Sequence, residues 1–194
     1  MSGLAKLQAI FRGSKSRSTH IARAKSGCKI ICPYYASSDS VVDVMIRLGN
    51  ISALDIVFDL GSGNGNILIN IAMKTNANCI GVDIDSLLCA TARRRSKEFK
   101  VDHMTDFVIN DIASVDFAMA TVICMFLVPS CLKELSSKLR IEYERGARIV
   151  CYKFGLPESE GWVPNSYEST EDVVNVNDPN ARSTVYYYCK NPCL

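Results

Sequence analysis

The stretch Asp59-Leu60-Gly61-Ser62-Gly63-Asn64-Gly65 limits the possible folds of this chain more than any other. It follows an apolar run, Leu54 to Phe58, and opens the amphipathic segment Asn66 to Thr75. That order predicts a strand, a glycine turn and a helix. Glycines at alternate positions allow positive φ where the chain reverses sharply, and they remove the Cβ atoms that would keep a ligand off the turn.

The spacing narrows the ligand. A dinucleotide fingerprint requires Gly-x-Gly-x-x-Gly. Here the third glycine, Gly65, comes one position early, and Asn66 stands where that fingerprint wants Gly or Ala. The acid two residues before the first glycine, Asp59, would repel a pyrophosphate and attract an ammonium group. Asp-x-Gly-x-Gly-x-Gly after a strand resembles motif I of class I methyltransferases, in which the turn cradles the amino-acid end of S-adenosylmethionine (SAM).

Downstream segments add further candidates. Asn78 to Ile84 reads as a second buried strand ending in Asp83, close to the interval of roughly 20 residues at which an open α/β sheet offers a carboxylate to ribose hydroxyls. Asp85 is either a second such group or the cap of a helix starting near Ser86. A third strand ends in Asn110-Asp111-Ile112. In the methyltransferase class an acid here accepts from the adenine amino group and an apolar neighbour covers the ring, which assigns those roles to Asp111 and Ile112. An exposed turn aspartate is the plain alternative. The cofactor candidates are therefore Asp59, Gly61, Ser62, Gly63, Asn64, Gly65, Asp83, Ile84, Asp111 and Ile112.

A helix is expected at about 39 to 48, then strand 54 to 60, helix 66 to 75, strand 78 to 84, helix 86 to 99, strand 105 to 110, strand 119 to 126, helix 130 to 144 and strand 147 to 154. Such alternation implies right-handed crossovers and a mostly parallel sheet covered on both faces. The apolar run Ala118 to Val128 fits a strand buried on both sides, and is too short to cross a bilayer as a helix. Gly155 to Tyr167 reads as a loop. Val173 to Val176 and Thr184 to Cys189 read as an antiparallel hairpin at the sheet edge. The expected fold is a Rossmann-like α/β domain with the seven-stranded class I methyltransferase sheet.

The residues before position 39 contain seven Lys or Arg and no acid, which leaves 15 basic against 20 acidic residues in the remainder although the whole chain is +2. Basic, acid-poor, serine-rich sequence with Leu4, Leu7 and Phe11 on one helical face describes a mitochondrial transit peptide; a basic tail on a cytoplasmic protein is the alternative. The expected division is a tail at 1–30 and a domain at 31–194. An acidic body argues against a long nucleic-acid footprint. No transmembrane segment and a monomer are expected. Of nine cysteines, Cys79, Cys124 and Cys151 fall in predicted strands as small apolar residues. The pairs Cys28/Cys32 and Cys189/Cys193 have loose spacing at opposite chain ends, so no metal is expected.

Cys32-Pro33-Tyr34-Tyr35 before the glycine motif, Phe126-Leu127-Val128-Pro129 after the fourth strand, Gly146-Ala147-Arg148-Ile149-Val150 in the fifth, and Gly161-Trp162-Val163-Pro164 beyond it narrow the resemblance. Together they are similar to the small protein-lysine methyltransferases, including the mitochondrial pair that modify the c-ring protein of ATP synthase and the adenine nucleotide translocase. That resemblance implies SAM as cofactor and a protein with an accessible lysine as partner. It makes Tyr34 and Phe126 walls of the methyl-transfer site, with Tyr34 also near the cofactor, and has Trp162 cover the site from its loop. Cys32 departs from the family's usual Val, and the family's frequent apolar segment ahead of the domain is not present. Adenine or glutamine amide enzymes carry a Pro-Pro-aromatic motif after the fourth strand, and Met125 to Pro129 lacks it. Methylation of RNA or a small molecule, and a catalytically silent binding domain, are the competing readings.

Overall fold

The computed structural model describes residues 39–171 and 182–191. Helix α1 (Asp39–Leu48) precedes β1 (Ile56–Leu60), α2 (Asn66–Thr75), β2 (Asn78–Asp83), α3 (Ser86–Glu98), β3 (Thr105–Ile109), β4 (Val122–Met125), α4 (Pro129–Glu144) and β5 (Arg148–Tyr152). A short 3-10 turn (Glu158–Glu160) then leads to β6 (Ser166–Glu171), and β7 (Arg182–Tyr188) closes the series.

The seven strands lie in the order β3-β2-β1-β4-β5-β7-β6. The first five are parallel, while β7 runs antiparallel to β5 and β6 antiparallel to β7. This is the seven-stranded sheet expected from the sequence. Strand order reverses beside β1, whose neighbours are β2 and β4, and ligands of open α/β sheets bind at the carboxyl ends of strands flanking such a reversal.

Alternation along each strand sends successive side chains to opposite faces. One face joins Val57, Cys79, Val122, Cys124 and Val150 to Val41 and Met45 of α1 and to Leu68 and Ile71 of α2 in one buried cluster. On the other face Phe58 meets Phe117, their rings 6.4 Å apart, and Lys138 of α4 lies 4.5 Å from the Phe117 ring centre. Cys79, Cys124 and Cys151 are buried within strands, as expected. At the amino end of the sheet Asp55 ties several segments together. It pairs with Arg148 and accepts from Thr121 Oγ1 at 2.7 Å and from the Ser52 N–H at 2.8 Å, while Arg148 donates to the Gly49 and Asn50 carbonyls at 2.6 and 2.8 Å.

Two expectations are corrected. The apolar run 118–128 supplies only four strand residues, because Ala120 closes a turn onto the Phe117 carbonyl and Leu127 is buried beyond the strand end. The first hairpin strand begins at Ser166, inside the expected loop; the stretch 173–176 lies outside the described residues. Among the described residues, no helix is long and apolar enough to cross a membrane.

Candidate functional site

The glycine turn is fixed by backbone before any side chain acts. The Gly61 and Ser62 N–H groups both donate to the Val82 carbonyl, at 2.8 and 3.0 Å, and the Gly65 N–H donates to the Ser62 carbonyl at 2.9 Å. Gly61, Gly63 and Gly65 take φ of 84°, 53° and 79°, a region costly for other residues. The absent side chains at two of these positions leave room for protein. A Cβ on Gly65 would lie 2.6 Å from Phe107 Cζ, and one on Gly61 would lie 2.9 Å from Leu127 Cδ2. The expectation that every glycine clears space for a ligand is corrected here: Gly65 lets α2 approach β3, and Gly61 admits the chain after β4.

Asp59 projects from β1 under this turn and is 1 % exposed. Neither of its carboxylate oxygens has a hydrogen-bond partner among the described residues, and the buried Ser62 hydroxyl is likewise unmatched. Burial, with a smaller contribution from the Asp83 charge, pushes the Asp59 carboxyl up to about 8. Buried polar groups are otherwise nearly always paired, so an acid and a hydroxyl left unmatched beside a glycine turn call for a ligand carrying hydrogen-bond donors and positive charge. The ammonium end of SAM has both.

Asp83, at the carboxyl end of β2, reaches back to the turn. Its Oδ2 accepts the Gly63 N–H at 2.8 Å and its Oδ1 accepts the Asp85 N–H at 2.9 Å. Each oxygen keeps a second lone pair for an incoming hydroxyl. Asp85 caps α3, accepting from Leu87 and Leu88 N–H groups at 2.8 and 3.2 Å. Ile84 beside it is 64 % exposed, an apolar surface at the mouth of the crevice.

Asp111 also holds its own loop, taking the Ala113 N–H on Oδ1 at 2.9 Å, and Ile112 behind it is buried. This loop crosses from β3 to β4 without a helix, so its carbonyls need donors from elsewhere. Lys138 of α4 supplies them, donating to the Val115 carbonyl and to that of Ala113 at 3.0 Å. Sequence reading overlooked Lys138, whose one signal is a basic residue amid the largely apolar inner positions of α4.

Phe126 leaves the end of β4 half-buried, its ring edge-on to Tyr152 with centroids 4.7 Å apart. That places an aromatic wall at the carboxyl edge. Trp162 lies elsewhere. It is 1 % exposed, its Nε1 donates to Ser136 Oγ at 2.7 Å, Arg140 stacks 3.6 Å from its ring, and Tyr143 and Tyr188 meet it edge-on. Tyr188 pairs with Ile149 near the start of β5, and Tyr143 is in the last turn of α4, both remote from the glycine turn. The expected cover over the methyl-transfer site is corrected to a core residue under α4. Tyr34, and the thiols of Cys28, Cys32 and Cys193, lie outside the described residues.

This arrangement has relatives. The ANTKMT methyltransferase domain matches residues 59–165, just over half of the chain. A protein-lysine N-methyltransferase of Saccharolobus islandicus is 33% identical over 80% of this chain and 92% of its own length. A lysine N-methyltransferase of Xenopus laevis, named for the ATP synthase c-ring protein it modifies, is 30% identical over 71% of the chain, which spans 58% of that longer relative. Among solved structures, an RNA methyltransferase from Salinibacter ruber in complex with S-adenosyl-L-homocysteine superposes with TM-score 0.68 at 29% identity, covering 80% of this chain and 93% of its own. With the glycine turn, the unmatched Asp59 and the seven-stranded sheet, these similarities establish that the chain belongs to the ANTKMT methyltransferase family, within the SAM-dependent class I enzymes.

Proposed function

We propose that this enzyme methylates the side-chain amine of a lysine in a protein. The observation that carries the cofactor end of this reading is the buried, unmatched Asp59 carboxylate under the glycine turn. The acceptor is supported by the names of relatives that span an archaeal and an animal protein.

Asp59 and the turn from Gly61 to Gly65 would hold the amino-acid end of the cofactor, Asp83 the ribose hydroxyls, and Ile84, Asp111 and Ile112 the base. SAM, when bound, supplies an electrophilic methyl group. The rest falls to the protein. A lysine amine has an unperturbed pKa of about 10.4 and is almost wholly protonated at neutral pH. Apolar walls such as Phe126 and the neighbouring Tyr152 disfavour its charged form and so free the lone pair for in-line attack. Exclusion of water by the same rings keeps the reaction from hydrolytic competition.

Incubation of the protein with tritiated SAM and fractionated lysate tests the acceptor. A labelled band that survives nuclease and is lost with protease, and that yields methyl-lysine on hydrolysis, is expected. A nuclease-sensitive label would move the acceptor to RNA, and label in neither class would favour a small molecule.

The basic, acid-poor stretch of residues 1–30 supports a second, finer proposal, that the chain acts in mitochondria with its domain at 31–194. Import of a reporter fused to residues 1–38 checks it; a cytoplasmic reporter would overturn it.

A further inference from the structure

The glycine turn has three left-handed residues and its helix begins at Gly65 without a side-chain cap, so little local chemistry fixes its orientation. One half-buried side chain reaches it from a neighbouring helix. Arg95, in the last turn of α3, donates from Nη1 to the Asn64 carbonyl at 3.1 Å and from Nη2 to Asn66 Oδ1 at 2.8 Å. These acceptors lie on either side of Gly65, so the planar guanidinium fork spans the junction between turn and helix as a rigid two-point brace. Asn64 Oδ1 in turn accepts the Asn66 N–H at 3.1 Å, which links both braced residues to each other.

We infer that Arg95 is a positioning residue for the cofactor, holding the glycine turn in the shape that receives the amino-acid end. The inference rests on the assignment of that end of SAM to the turn. Its neighbour Arg93 serves a different purpose, donating to the Phe107 carbonyl of β3. Without the Arg95 fork, the Asn64–Gly65 peptide is free to rotate and the turn samples shapes that do not present Ser62 and Asp59 together.

The test compares two ligands on the full chain by calorimetry: S-adenosylhomocysteine, which carries the amino-acid end, and methylthioadenosine, which lacks it. Arg95→Met should weaken S-adenosylhomocysteine about tenfold to a hundredfold, the loss typical of charge-assisted hydrogen bonds, and leave methylthioadenosine unchanged. Arg95→Lys keeps the stem and charge but cannot span two acceptors; it should lose less, in the same direction, and serves if the Met variant does not fold. Equal losses for both ligands, or none for either, would overturn the positioning role. A wild-type protein that binds methylthioadenosine as tightly as S-adenosylhomocysteine would instead overturn the assignment of the turn to the amino-acid end.

Discussion

Asp83 accepts the backbone N–H of Gly63 across 2.8 Å, which makes the acid at the end of β2 and the middle glycine of the turn a single unit. Removing the carboxylate therefore acts twice, on the ribose contact and on the shape of the turn. Asp83→Ala should weaken SAM by about 1.5–3 kcal/mol, roughly tenfold to a hundredfold in Kd. Titration calorimetry reads this directly; near-wild-type affinity would refute the ribose role.

Asp59 ties stability to pH. Folded, its carboxyl holds a proton up to about 8; unfolded, it releases one near the ordinary value of about 3.9. Between those values the folded state binds more protons, so ligand-free stability falls as pH rises, by at most about 1.4 kcal/mol per pH unit from this group. SAM should reverse the trend, since its ammonium favours the ionised acid, and its affinity should rise with pH up to about 8. Melting curves across this range with and without SAM measure both effects. Asp59→Asn should flatten them.

Trp162 separates a packing role from a catalytic one. Trp162→Ala should destabilise the protein by about 3–5 kcal/mol through a large cavity, while kcat and the acceptor KM, measured below the lowered melting temperature, stay close to wild type. A selective loss of turnover in a stably folded Trp162→Phe variant would return this ring to the active site.

Phe126 should show the opposite division. Phe126→Ala is expected to leave the Kd of SAM within about threefold and to lower kcat about tenfold or more, because poorer walls leave the acceptor amine more often protonated and misaligned. Single-turnover assays at rising pH should recover part of that loss.

Gly65 tests the correction to the turn. Gly65→Ala places a methyl 2.6 Å from Phe107 at φ of 79° and should cost about 1–3 kcal/mol of stability. Pairing it with Phe107→Leu should restore part of the loss in a double-mutant cycle. Purely additive losses from the two would return Gly65 to a ligand-facing role alone.

The readable parts of this fold were those written in local pattern. Helices α1 and α2 begin and end where their apolar spacing and flanking residues indicated, and the acids of β1 and β2 stand at positions set by the crossover length. Strand β6 escaped because Ser166-Tyr167-Glu168-Ser169-Thr170 has a single large apolar residue, and that ring is 68 % exposed at a sheet edge. Edge strands paired on one side need no apolar alternation, which removes the signal. In the run 118–128, burial of a crossover and burial of a strand leave the same composition, which hides the ends of β4. The Gly-Trp-x-Pro element stands out in the sequence, yet its aromatic ring turns to α4, since a sequence does not say which end of a sheet a loop folds back upon. Arg95 and Lys138 act over 29 and 23 residues of separation or more, beyond any local pattern.

An acid buried without a partner also makes the folded chain a gauge of its own cofactor. Ligand that binds only the folded state adds stability in step with its concentration, and here it also matches the Asp59 charge that burial leaves exposed to repulsion from Asp83. When SAM is scarce the protein opens more often and proteases meet it more often. The amount of enzyme in a cell should therefore follow the supply of methyl donor, with no regulator other than the fold.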